Sequence, residues 1–237
     1  MTARKLLLVF TATWLPVAGL AQQNDGPAAV QIRAVLHDPV RPVAELYLAD
    51  RTGAVVRLEL VAEGLSKAQF TVPVNGSLVL YDSATVDPKK PGANVAASCK
   101  IPANTQRAMI VVLPGPADAK PAYRMVLVDD SAKAFPKGES RVISLVPVEM
   151  AIEAGEHKLP VHPGKITGVP AVRKVNEFNM AQTNFYYKEE ESWVAFTERK
   201  LQFLDAFRRV FIIHATPGAI QPAVTTIVDT APPGPLN

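Results

Sequence analysis

The residues best equipped for chemistry lie in one short stretch: Tyr186-Tyr187, Glu189-Glu190-Glu191 and Trp193. Aromatic rings that stack on a sugar, beside carboxylates that take its hydroxyl groups or a calcium ion, would make this a ligand edge. The competing reading is a solvated hairpin tip with aromatic residues packed beneath it. General acid–base hydrolysis needs two carboxylates facing each other across a cleft. Three consecutive carboxylates on one tip do not supply that pair. Aromatic residues make up 7% of the chain, low for a surface specialised in sugar stacking.

Other chemistries are weaker still. Cys99 is the single cysteine, which excludes a disulfide scaffold, a multi-cysteine zinc site and an iron–sulfur site within one chain. As a nucleophile it would need a distant His. As part of the alternating segment Val95–Ile101 it reads instead as a strand residue behaving like a small hydrophobe. The four histidines are His37, His157, His162 and His214. The odd spacing of His157 and His162 points them to opposite faces of an unbroken strand, unless Pro160 and Pro163 bend it. His37-Asp38 before Pro39 reads as a turn, and His214 ends a strand. Gly164-Lys165 lacks both the following Ser or Thr and the earlier Gly of a phosphate-cradling loop. There is no glycine-rich dinucleotide fingerprint and no Gly-x-Ser-x-Gly elbow. No cofactor is expected.

These residues must be positioned by a scaffold, and the scaffold begins with an address label. Arg4 and Lys5 precede an apolar run, Leu6 to Leu20, broken by Pro16 and followed by Ala21. Gly19 and Ala21 are the small residues of a cleavage site, so residues 1–21 read as a secretory signal peptide. The run is too short and interrupted for a comfortable membrane span, and no second long apolar run follows. Losing Arg4 and Lys5 takes the formal charge from +3 to +1, which leaves no electrostatic case for nucleic acid. The expected location is periplasmic, secreted or cell-surface. With Cys99 alone, the core must hold without a disulfide, and the remaining ~216 residues bury enough surface for that.

The rest reads as strands. Val30–Leu36, Val55–Leu60, Gln69–Val74 and Ser77–Tyr81 are short, alternating and β-branched. Asn75-Gly76 between the last two is the strongest hairpin signal, because both residues tolerate positive φ. Further strands are expected at Val95–Ile101, Arg107–Leu113, Tyr123–Val128, Ser140–Leu145 and Val148–Glu153. Phe185–Tyr187, Trp193–Thr197, Val210–His214 and Ala223–Val228 complete the set. Pro73, Pro147 and Pro160 suit edge strands or strand ends. Glu198–Phe211 carries Leu201, Leu204 and Phe207 at spacing three. It reads as a short helical or irregular connection, with a hairpin as the alternative. Arg208-Arg209 precedes an apolar strand and suits an ion pair or a guarded sheet edge. Lys89-Lys90, between Pro88 and Pro91, reads as a solvated turn.

The chain also repeats itself. Residues 107–129 and 209–229 each run Arg, apolar strand, Pro-Gly, short link, Pro-Ala, second strand, Val-Asp. The matched anchors are Arg107 with Arg209, Pro114-Gly115 with Pro217-Gly218, Pro121-Ala122 with Pro222-Ala223, and Val128-Asp129 with Val228-Asp229. Arg33 to Val40 lines up in the same order with Arg141 to Val148. Chance recurrence in an all-β chain is the alternative to duplication. The fold class that follows is all-β: two tandem small antiparallel β-sandwich modules of about seven strands each. Module 1 spans 28–129, a linker 130–138 and module 2 139–230, with a Pro-rich tail at 231–237. The signal peptide, the Phe135-Pro136-Lys137-Gly138 junction and the Arg–strand–Pro-Gly–strand units resemble secreted bacterial proteins built from immunoglobulin- or transthyretin-like β-sandwich modules. That resemblance implies a fold and a location, and no catalytic residue.

The expected role is a non-catalytic binding or structural accessory of the cell envelope, with a protein or polysaccharide partner. It would act by loop recognition or by strand addition to a sheet edge. One rival is an envelope-polymer hydrolase or lyase with a site between the modules, using Glu190, Tyr187, His162 or His214. Another is a carbohydrate-binding module centred on Trp193.

Overall fold

The computed structural model describes residues 28–37, 45–61, 64–87, 90, 92–116 and 118–234. The expected signal peptide, Asp38-Pro39, Pro88-Lys89, Pro91 and the last three tail residues lie outside them. The described chain is all-β, in two tandem sandwich modules of eight strands each. The first comprises β1 (Val30–Leu36), β2 (Tyr47–Ala49), β3 (Val55–Arg57), β4 (Gln69–Thr71), β5 (Ser77–Tyr81), β6 (Val95–Lys100), β7 (Arg107–Pro114) and β8 (Tyr123–Asp129). The second comprises β9 (Ser140–Ser144), β10 (Met150–Ala154), β11 (His157–Val161), β12 (Ile166–Val169), β13 (Met180–Glu189), β14 (Ser192–Gln202), β15 (Arg208–His214) and β16 (Ala223–Asp229).

The strand orders repeat. Sheet β4-β1-β7-β8 corresponds to β12-β9-β15-β16, and sheet β3-β2-β5-β6 to β11-β10-β13-β14. Each half also carries one parallel pair, β1 with β7 and β9 with β15. The ladders correct two of the sequence anchors. Arg33 lies opposite Met109, and Arg141 opposite Val210. Setting Arg33 on Arg141 therefore puts Arg107 on Arg208 and, through the β7–β8 and β15–β16 registers, Asp130 on Asp229. Each anchor differs by one residue from the linear match, and one residue is enough to change faces. Asp129 is exposed, whereas Asp130 and Asp229 are buried.

The four sheets stack as layers. One core, including Ile32, Leu48, Leu80 and Ile110, fills module 1, and a second, including Ile152, Phe185 and Phe211, fills module 2. A third lies between the modules: Val35, Met109, Val111 and Val128 on one side, and Ile143, Val210, Ile212 and Ile227 on the other. Strands β1, β7 and β15 are thus buried on both faces, which explains their near-continuous apolar runs. The outer sheets keep one wet face and alternate, as β13 does.

Four charges are sealed into the central layer. The Arg33 guanidinium donates from Nε and Nη2 to both oxygens of Asp130, each at 2.8 Å. From Nη1 and Nη2 it also donates to both oxygens of Asp229, at 2.8 and 2.7 Å. Arg208 donates to Asp229 at 2.6 Å and to Asp130 at 2.5 Å. It also donates to the Phe135 carbonyl oxygen at 2.8 Å. The Phe135 ring, fully buried, lies 4.3 Å from the Arg208 guanidinium carbon and 4.5 Å from that of Arg141. The expected linker 130–138 is therefore pinned at both Asp130 and Phe135.

Glu198–Phe211 is neither helical nor irregular: β14 runs to Gln202, a short turn follows, and β15 starts at Arg208. Helical spacing of Leu201 and Leu204 lost to pairing with β13, where Leu201 joins the core. Arg208-Arg209 guards no edge, because β15 is an inner strand. The two side chains part: Arg208 enters the charge cluster, and Arg209 lies 4.9 Å from the Phe203 ring. Strands β2, β11 and β12 had too few residues or too much proline to register. Pro160 does sit on an edge strand, β11. Asn75 and Gly76 both have positive φ (49° and 71°), as their turn requires.

Burial pushes the Asp229 carboxyl up, but the bonds and charges of Arg33 and Arg208 outweigh it and hold Asp229 below its ordinary value. Replacing Asp229 by Ala leaves two guanidiniums facing one carboxylate in a buried layer. The expected cost in urea unfolding is about 3–5 kcal/mol. A depressed carboxyl contributes stability that is complete above its unfolded pKa and is lost as pH falls through the folded value. The gap between wild type and Asp229→Ala therefore narrows on acidification.

Candidate functional site

The outer sheet of module 2 turns one face to solvent, and its register builds a trough there. One row across the four strands reads Pro160, Ala151, Tyr186, Ala195. Pro and Ala are short, so the large Tyr186 ring stands beside open space. Trp193, opposite Lys188 in the hairpin, closes one end, and Lys158 with Leu159 closes another. The cavity so formed has a volume of about 300 Å³. Trp193 is 49% exposed.

A chain of hydrogen bonds fixes the aromatic wall. The Gln182 amide donates to Asn184 Oδ1 at 2.7 Å, Asn184 donates to the Tyr186 hydroxyl at 3.2 Å, and that hydroxyl donates to Glu153 at 2.8 Å. The bond to Glu153 raises the Tyr186 phenol above its ordinary value and keeps it a donor. Lys158 Nζ lies 5.9 Å from the Tyr186 ring centroid, within cation–π range. Neither Lys158 nor Lys188 forms an ion pair among the described residues.

Of the six residues singled out in the sequence, the structure brings only Tyr186 and Trp193 into this trough. Tyr187 points the other way, into the module 2 core, where its ring lies 6.1 Å from Phe196. Glu189 pairs with Ser192 at the hairpin end, and Glu190-Glu191 form the two-residue turn. All three glutamates are exposed, and none lines the cavity. Glu190 has φ of 53°, a conformation that Gly adopts more readily. Lys158, Ala151 and Pro160 come from β10 and β11. The only hint of them in the sequence was the proline on an edge strand.

The other candidates lie apart. A groove of about 350 Å³ between the modules is lined by Leu113, Arg124, Val126, Leu145, Val146 and Pro163 among others, and, among the described residues, by no histidine or carboxylate. Tyr187 is in the core and Glu190 at a hairpin tip. The His37 and His214 rings meet across the module boundary, 4.4 Å apart, and His214 also bonds the Thr225 hydroxyl at 3.1 Å. His157 contacts the Ala171 carbonyl and Glu156. His162 lies just beyond β11 and is exposed. Among the described residues, no three His, Cys, Asp or Glu side chains converge as metal ligands, and no helix is long and apolar enough to cross a membrane. Cys99 is half-buried against the module 1 core, and burial pushes its thiol up. That is the reverse of what activates a nucleophile.

No protein-family model and no curated protein matches this chain.

A free cysteine that is half-buried with a raised pKa should be a poor thiolate. Iodoacetamide at pH 7.5 should modify Cys99 at least ~10-fold more slowly in the folded protein than in 6 M guanidinium. Equal rates would contradict this placement.

Proposed function

We propose that this chain is an exported, non-catalytic binding accessory of the cell envelope, periplasmic or surface-held, and that it engages its partner through the outer face of module 2. The observation that carries this reading is the Tyr186–Trp193 trough. Two aromatic side chains and an unpaired lysine surround a concavity beside a hydrogen-bonded polar row. Ligand sites take this form: mostly apolar walls with a few placed polar groups. The signal-like segment at residues 1–21 supports export. Strand addition is less well supported at the neighbouring edge. There β14 carries a bulge at Phe196 and the charged run Glu198-Arg199-Lys200, both of which blunt edge pairing.

The test compares retention of envelope polysaccharide and envelope protein fractions by wild type, Trp193→Ala and a control, Ile220→Ser, at a fully exposed position elsewhere. Trp193 is half-exposed, so its loss should leave the unfolding midpoint nearly unchanged, a change of roughly 0.5 kcal/mol or less. Retention should fall for Trp193→Ala and hold for the control. Unchanged retention by Trp193→Ala would remove the trough from the reading.

A further inference from the structure

The ligand class follows from what surrounds the trough. This inference rests on the reading that the trough is a binding site. Trp193 is half-exposed beside the partly buried Tyr186, and an aromatic face suits the C–H face of a pyranose ring. Its volume, about 300 Å³, is near the lower end for small-molecule sites and is short for a polypeptide. The charged neighbours are unequal. Glu153 already accepts the Tyr186 hydroxyl and stands opposite Lys158 in the β10–β11 ladder. Lys158 lines the cavity, and Lys188 stands opposite Trp193. Both ammonium groups lack a carboxylate within ion-pair distance among the described residues. The Glu189–Glu191 tip lies one row beyond and outside the cavity. The charges on this face are therefore mixed: the carboxylates of Glu153 and Glu198 act on Tyr186, while Lys158, over the Tyr186 ring, and Lys188, opposite Trp193, are the cations left without an ion pair.

We propose that the trough binds an acidic sugar, a uronate residue of an anionic polysaccharide, with its ring face on Trp193 and Tyr186 and its carboxylate held by Lys158, with Lys188 beside it. Neutral sugars can stack but bring neither ammonium group a carboxylate. Acidic peptides can meet the charge but offer no ring to the aromatic wall.

The experiment reads Trp193 fluorescence in the full chain carrying Trp14→Phe, so that Trp193 is the sole indole. The probes are tri-galacturonate, cellotriose and a hexaglutamate peptide. Tri-galacturonate should shift the emission and bind roughly tenfold more tightly than cellotriose at low salt. Lys158→Met, which keeps the apolar stem, should erase that preference without abolishing stacking. Added salt should weaken uronate binding and leave the neutral sugar unaffected. Equal binding of cellotriose, or a preference surviving in Lys158→Met, overturns the acidic-sugar assignment and leaves the binding role standing. Hexaglutamate binding as tightly as the uronate overturns it in favour of a peptide ligand. Silence of all three probes overturns the sugar. If Trp193→Ala also retains the envelope fraction, the binding role falls with it.

Discussion

Four buried charges decide how the two halves of this molecule sit. Arg33 from the first strand and Arg208 from the fifteenth share Asp130 and Asp229, with one carboxylate from each half and bidentate geometry on the Arg33 side. An uncompensated charge in this layer would cost several kcal/mol, so the cluster is tolerated only when all four members are present. That makes it an all-or-none device. A slip of one strand by one residue would aim Arg33 or Arg208 into an apolar core. The cluster therefore fixes register as much as it stabilises.

The apolar layer between the modules lies beside that cluster. Val35, Met109 and Val111 pack with Val210 and Ile212 in the layer that holds the charges. Phe135, carried by the segment that joins the halves, sits against two guanidiniums and turns a tether into part of the core. The histidine contact, His37 with His214, marks the opposite end of the same stripe. With both inner sheets covered on two faces, only the outer sheets keep a face for solvent. The trough at Tyr186 and Trp193 lies on one of these. Its shape comes from short side chains, Ala151 and Pro160, in the same cross-strand row as a long one.

Much of the fold was legible. Alternation and β-branching located β1 and β5 to the residue, and Asn75-Gly76 named its own turn. The repeat was visible because each half uses the same strand order. Its anchors slid by one residue because a linear match cannot see which face a side chain takes. Residues 198–211 misled because leucines at spacing three satisfy a helix locally, while pairing along β13 satisfies more backbone groups at once. Of the site, the two aromatic residues were legible as an unusual composition. Lys158 and the small residues were not, because they lie on strands that meet the hairpin only through cross-strand register.

The sequence alone determined the class of structure, most of its strands, the single cysteine and the presence of an aromatic cluster. These are local properties: side-chain period, turn chemistry and composition act over a few residues. Tertiary structure decided which of two adjacent residues matters: Asp130 rather than Asp129, Arg208 apart from Arg209, Tyr186 apart from Tyr187. Successive side chains on a strand point to opposite faces, and what each face meets is set by strands distant in the chain.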